Sequence, residues 1–326
     1  MPDQPTPPAL AEAPVLAHVT RGVVVESAHR ASVAVTAPDG SLLHAWGAVD
    51  DPLFPRSSNK PLQAVAMLRA GLALPPHHLA LASASHSAEP FHLDAVREML
   101  TDAGLTEADL QNTPDLPYDP DERDIWVAAH RTARSLAQNC SGKHAAMLAT
   151  CRVNGWDLRT YLDPTHPLQR AMADTIADLA GEPVAATAVD GCGAPVMAIS
   201  LAGLARAFGR IAAAAPGTPE GSVADAIRSH PEYLGGTRRD VTALVRGTRG
   251  AIAKDGAEAV YAVGLADGRG IALKVADGGQ RARPVILAAV LRRLSVESTA
   301  YERLEDAPIL GHGEPVGAVV AVGIAP

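Results

Sequence analysis

The chain has 326 residues, 47% hydrophobic and 20% charged, with 28 Lys+Arg against 36 Asp+Glu and a formal net charge of −8. That length buries a substantial core, as one large domain or two smaller ones, and the acidic balance excludes a nucleic-acid footprint, which needs clustered positive charge. No run reaches the roughly 18–20 consecutive apolar residues of a membrane span, and three widely spaced cysteines do not form a disulfide framework; the reading is a reduced, cytoplasmic protein with no nucleic-acid or membrane partner.

Residues 1–14 are acidic and proline-rich and read as a loosely attached leader, without the basic and apolar regions of a signal peptide. GVVVES, ASVAVTA and LLHAWGAV follow, rich in Val with partial alternation, and predict three antiparallel strands, the last two joined at Pro38-Asp39-Gly40. After Lys60 the apolar spacing turns helical. PLQAVAMLRAGL, FHLDAVREMLTDAG, KHAAMLATCRVNG, LQRAMADTIADLAG and MAISLAGLARAFGRIAAAA all carry it, and several end at glycine. Strand texture returns in GAIAKDG, AEAVYAVGLADG and RGIALKVADGG, with a hairpin at Asp267-Gly268. A helix, RPVILAAVLRRL, and a strand, VGAVVAVG, close the chain.

Strands at both ends with helices between them predict an α+β fold, an antiparallel sheet formed from both chain ends with a largely helical middle region. The expected organisation is one catalytic unit over 1–326. Residues 15–60 and 248–326 make its sheet subdomain, and 61–247 its mainly helical subdomain.

Only four of the basic residues are lysines: Lys60, Lys143, Lys254 and Lys274. Arginine stays charged, whereas a desolvated lysine can give up its proton and act as a base. In FPRSSNKPLQA, Ser57 and Lys60 have S-x-x-K spacing at the start of a predicted helix, so they share a face. The helix N-terminus favours a developing alkoxide there, and the pattern is that of penicillin-recognising serine hydrolases. The same residues also suit a serine cap followed by a solvated lysine. In LALASASHSAEPFH an apolar run opens into Ser85, His86, Ser87 and Glu89, polar residues placed as in a site loop or, for Ser87, a helix cap.

Gln138-Asn139-Cys140-Ser141-Gly142-Lys143-His144 is the densest cluster of reactive side chains. Cys140 at a helix start is placed to become a thiolate. With Cys192, in the glycine turn of VDGCGAPV, and a nitrogen donor such as His144, it makes a zinc-like S/N set. Buried free cysteines are the competing reading, and the one adopted for Cys151. Lys274 lies in the strand-like ALKVADGG. Lys254, in AKDGAE, reads as a solvent-exposed turn residue.

Taken together, FPRSSNKPLQA, ASHS-E, NCSGKHAAML, DGCGAPV, HPEYLGGTRRD, AKDGAEAVYAVG and ALKVADG run in the order of the L-asparaginase II family, the thermolabile rhizobial type, which the chain resembles over residues 18–325. The resemblance implies a serine β-lactamase-like fold, similar also to serine-dependent glutaminases, and two Ser/Lys tandems. By motif position these are Ser57 with Lys60 and Ser85 with Lys274. It further implies one zinc ion per chain, held by Cys140, Lys143 and Cys192 and supporting substrate binding. Arg56, His144 and Asp190 are then left for the substrate's charged groups, and a homodimer is expected. Where the family pattern commonly has glycine, this chain has Ala88.

The implied activity is hydrolysis of L-asparagine to L-aspartate and ammonia through a Ser/Lys nucleophile and an acyl-enzyme. The alternative is a β-lactamase- or peptidase-like or glutaminase-type serine amidohydrolase acting on another amide. A cysteine amidase using Cys140 and His144, and a non-catalytic amino-acid-binding protein, are further readings.

Overall fold

The computed structural model describes residues 9–325. The leader expectation falls largely on residues 1–8, outside the described residues; Ala9–Glu12 form a 3-10 turn. The strands are β1 (Val15–Arg21), β2 (Val24–Thr36), β3 (Leu42–Trp46), β4 (Pro52–Leu53), β5 (Ala186–Val189), β6 (Pro195–Ser200), β7 (Ile252–Gly256), β8 (Val260–Gly264), β9 (Gly270–Val275), β10 (Pro308–Gly311) and β11 (Glu314–Ala321). The helices are α1 (Lys60–Arg69), α2 (Pro76–Ala82), α3 (Pro90–Asp102), α4 (Pro120–Ala128), α5 (Ser141–Asn154), α6 (Pro167–Ala180), α7 (Leu201–Ala212), α8 (Pro219–Ser229), α9 (Pro231–Leu234), α10 (Asp240–Gly247), α11 (Arg283–Arg293) and α12 (Tyr301–Glu305).

Two compact units divide the chain. The first takes the described parts of Met1–Ser58 and Ala243–Pro326 together with Ile199–Ala213; the second takes Asn59–Ala198 and Ala214–Thr242. In the first unit an antiparallel sheet has the order β10-β11-β1-β2-β9-β8-β7, with β3 on β2. The two ends of the chain meet where β1 pairs with β11, Ala17 opposite Ala321. The β8–β9 hairpin turns at the expected Asp267-Gly268, Gly268 taking φ +89°. Helix α7 packs across β2, β8 and β9. It comes close enough that a Cβ on Gly270 would lie 1.8 Å from the Ala205 carbonyl oxygen, so only glycine fits.

In the second unit, α5 is the central helix, buried on every face from Ser141 to Cys151 and packed against α1, α2, α3 and α6. It ends as the sequence predicts, at Gly155 in the left-handed conformation. Gly142 lets its first turn approach α2, where a Cβ would meet the Leu81 carbonyl oxygen at 2.7 Å.

Four sequence expectations are corrected. Residues 15–21, assigned to no element, form β1, which β2 and β11 flank. GVVVES and ASVAVTA are parts of one thirteen-residue strand, β2, because neither Gly nor Pro interrupts Val24–Thr36. The first residues of MAISLAGLARAFGRIAAAA belong to strand β6, whose side chains are all buried; a continuously apolar run carries no period to separate strand from helix. The helix starts only where the Ser200 hydroxyl accepts the Gly203 N–H at 2.8 Å. Lys254 is fully buried on β7 rather than exposed in a turn. No helix among the described residues is long and apolar enough to cross a membrane.

Candidate active site

Within the second unit, three segments bring reactive side chains together: the start of α1, the loop between α2 and α3, and the start of α5. Lys60 opens α1 and is 1% exposed. Its amine lies 3.1 Å from the Ser85 hydroxyl, 2.5 Å from the Ala84 carbonyl and 3.1 Å from the Cys140 sulfur, all within hydrogen-bond reach. Ser85 is itself buried, its N–H bound to Leu234 O. The following residues pin the loop. The His86 N–H donates to Asn139 O, and its Nε2 lies 2.8 Å from the Ser141 hydroxyl. Ser87 donates to Gly235 O rather than capping α3, and Glu89 accepts from the Thr237 N–H at 2.7 Å. Ala88 sits at φ +64°, the left-handed region that favours glycine.

Cys140 caps α5 by position, without a side-chain cap bond, and Lys143 follows one turn later. Cys192 is presented by the tight β5–β6 turn, in which the Gly193 N–H bonds Asp190 O at 2.8 Å. The Lys143 amine lies 3.3 Å from the Cys192 sulfur. The two thiols are hydrogen-bonded neighbours. Cys192 is shifted down, chiefly by the hydrogen bond from Cys140, which with the Lys143 charge outweighs burial. Cys140 is pushed up to about 12 by that same bond and then by burial, and its sulfur lies 3.0 Å from Asn139 Oδ1. For Lys143 burial is the largest single effect and lowers its pKa, but Cys192, Cys140 and Asp190 together raise it.

Two thiols and an amine suit a borderline cation such as zinc. The 3.3 Å separation of Lys143 Nζ and Cys192 Sγ is near the ~3.5 Å edge of a tetrahedral zinc site with metal–ligand bonds of about 2.0–2.3 Å. His144, the other nitrogen considered from sequence, is directed elsewhere. Its Nδ1 is 2.8 Å from the Tyr161 hydroxyl. That hydroxyl also accepts the Gln111 N–H at 3.3 Å, and burial keeps the phenol protonated. The other His144 nitrogen, Nε2, is buried and has no hydrogen-bond partner among the described residues. Burial, reinforced by Lys143, holds the ring neutral. Sequence reading missed Tyr161. It lies 17 residues from His144 with no pattern linking them.

The remaining sequence candidates lie in the first unit, apart from Asp190, which is half-buried with a carboxylate oxygen 2.8 Å from the Gly191 N–H. Arg56 and Ser57 are half-buried in the 3-10 turn Arg56–Asn59, which runs directly into α1. Arg56 holds φ +52°, a strained conformation of the kind that gathers at functional sites. Ser58, the neighbour without S-x-x-K spacing, is buried and donates to Lys254 O at 3.2 Å. Lys254 bonds the Asp255 carboxylate at 2.8 Å, with Arg283 3.7 Å from the other carboxylate oxygen. Lys274, on β9, donates to Glu258 O at 2.7 Å and Val275 O at 2.6 Å. Glu258 and Ala259 both have positive φ, so Lys274 buttresses a strained turn. Burial lowers its pKa against the pull of Glu258 and Asp277.

The family profile described as L-asparaginase II matches residues 17–321. The chain belongs to the L-asparaginase II family. Membership of the L-asparaginase II family supports a hydrolase acting on amides. No functionally curated protein matches the chain. Among solved structures it is similar to a β-lactamase from Mycobacterium bovis, with 14% identity, 82% of this chain and 95% of that one covered, and a TM-score of 0.43. A hydrolase with promiscuous acyltransferase activity gives 11% identity, 82% and 90% coverage, and a TM-score of 0.41. The Bacillus subtilis glutaminase in covalent complex with 5-oxo-L-norleucine gives 13%, 89% and 95%, and 0.37.

Proposed function

We propose that the protein hydrolyses the side-chain amide of L-asparagine to L-aspartate and ammonia by acyl transfer through a serine served by a lysine. One observation carries this reading. In a chain of an amidase family, the buried Lys60 amine is hydrogen-bonded to a serine hydroxyl and begins the helix that Ser57 precedes by three residues. Ser57 Oγ attacks the amide carbon while Lys60 takes its proton. The tetrahedral intermediate collapses, ammonia leaves with that proton, and a β-aspartyl ester remains on Ser57. Water then cleaves the ester, releasing aspartate and restoring the hydroxyl. Ser85 and Lys274 relay protons during these steps. His144 Nε2, which has no partner among the described residues, and the Arg56 guanidinium suit the substrate's carboxylate, and Asp190 suits its ammonium. Zinc bound by Cys140, Lys143 and Cys192 would supply positive charge that positions the substrate. A homodimer completes the reading taken from the family.

The 3.1 Å bond from Lys60 to Ser85 favours a second assignment, in which Ser85 is the nucleophile. Ammonia release by Ser57→Ala and Ser85→Ala chains separates the two. Near-normal turnover by Ser57→Ala would transfer the role to Ser85. A substrate panel of asparagine, glutamine and a chromogenic β-lactam, run with and without zinc, tests the activity itself. β-Lactam cleavage without ammonia release would overturn it.

A further inference from the structure

Outside the cysteine cluster, the second unit carries another set of metal-type donors. His77, His78 and Glu98 each offer a ligand atom, and the three atoms lie within 4.8 Å of one another. Neighbouring residues on a helix point about 100° apart, yet the His77 and His78 rings at the start of α2 come to 4.2 Å between centroids. Glu98 reaches them from α3, its Oε2 3.2 Å from His78 Nε2. That spacing suits a hydrogen bond, and it equally suits two ligands on one cation.

The second observation is the state of His78. The residue is 3% exposed, and packing directs its Nε2 at the Glu98 carboxylate. His77 is half-buried, with His230 and Tyr233 packed against its ring, while the Glu98 side chain is 62% exposed. One side of the trio is thus walled by protein, and the carboxylate side opens to solvent, an entry path for an ion.

We propose that His77, His78 and Glu98 form a second metal site, separate from the cysteine cluster, for a borderline divalent cation such as Zn2+, Co2+ or Ni2+. Two imidazoles and a carboxylate match those ions, and they disfavour Mg2+ and Ca2+, which take all-oxygen shells. The site clips α2 to α3, the helices flanking the loop that holds Ser85.

The test is titration of the metal-free full chain with Co2+, whose sulfur-to-metal charge-transfer absorption marks thiolate ligation. The natural chain is expected to show one component with that band and one without. His77→Ala or Glu98→Gln should weaken only the component without it, by at least about tenfold, the loss that even an outer-sphere partner of a ligand produces. Both side chains lie outside the tightly buried core, and circular dichroism checks that the fold is kept. In a Cys140→Ser/Cys192→Ser chain one Co2+ should still bind without the band. Should that chain fail to fold, the thermal shift by Ni2+ of the natural chain is compared with that of His77→Ala, which should show a smaller one, the cysteine site still contributing. The proposal is overturned if no component free of the band exists, or if it persists unchanged in His77→Ala and Glu98→Gln, which would mean adventitious surface binding only.

Discussion

The four lysines fall two to each unit, and all are buried, at 1%, 2%, 0% and 7% exposure for Lys60, Lys143, Lys254 and Lys274. Their partners differ in kind. In the second unit the amines face a serine hydroxyl and two cysteine sulfurs, groups that exchange protons or bind metal. In the first unit they are held by the Asp255 carboxylate and by the carbonyls of Asp255, Glu258 and Val275. A carbonyl only accepts a hydrogen bond, so these contacts brace backbone, as the bond from Lys60 to Ala84 O also does. The shifts diverge as well: thiolate charge lifts Lys143, whereas burial prevails at Lys274. Burial alone therefore does not mark a catalytic lysine.

Removing one lysine from each unit breaks this comparison most directly. Lys60→Met should lower kcat/KM for asparagine by about 10³-fold or more, the range of a lost general base, with the melting temperature little changed. Lys254→Met should instead cost about 1–3 kcal/mol of stability by removing the nearer cationic partner of the buried Asp255 carboxylate, read by denaturant unfolding. An activity loss in Lys254→Met without loss of stability would collapse the distinction.

Zinc binding sharpens it next. Ligation requires deprotonated donors, and Cys140 and Lys143, both shifted up, hold protons at pH 7, whereas Cys192, shifted down, does not. Binding should expel about two protons, so affinity should fall about a hundredfold per pH unit on acidification. Calorimetry in buffers of different ionisation enthalpy measures that number, and a pH-independent affinity would refute the donor set. Tyr161→Phe removes the hydroxyl that lies 2.8 Å from His144 Nδ1 and orients its ring. It should raise KM about tenfold, the worth of one hydrogen bond, and leave kcat near normal; an unchanged KM would detach His144 from the substrate. The smallest effect is expected from Ala88→Gly, which should gain about 0.5–1 kcal/mol by relieving the left-handed backbone, seen as a small rise in melting temperature.

Local signals carried much of the fold. Asp-Gly at 267–268, the glycine ending α5 and the valine-rich runs each report a conformation within a few residues, and those assignments match the structure. The failures sit where burial erased periodicity, as in β6, or where a short apolar strand borders a predicted leader, as in β1. Lys254 was misread because Lys-Asp-Gly has turn composition whether it is solvated or enclosed by a sheet.

By itself, the amino-acid order determined the sheet drawn from both chain ends, the helical middle, the S-x-x-K spacing of Ser57 and Lys60, and the rarity of lysine. Tertiary structure alone decided which atoms the lysines meet. Lys60 reaches Ser85 across 25 residues and Cys140 across 80, and Lys143 reaches Cys192 across 49. Spacing along one helix or strand encodes its own faces, but which face meets which depends on how the elements pack.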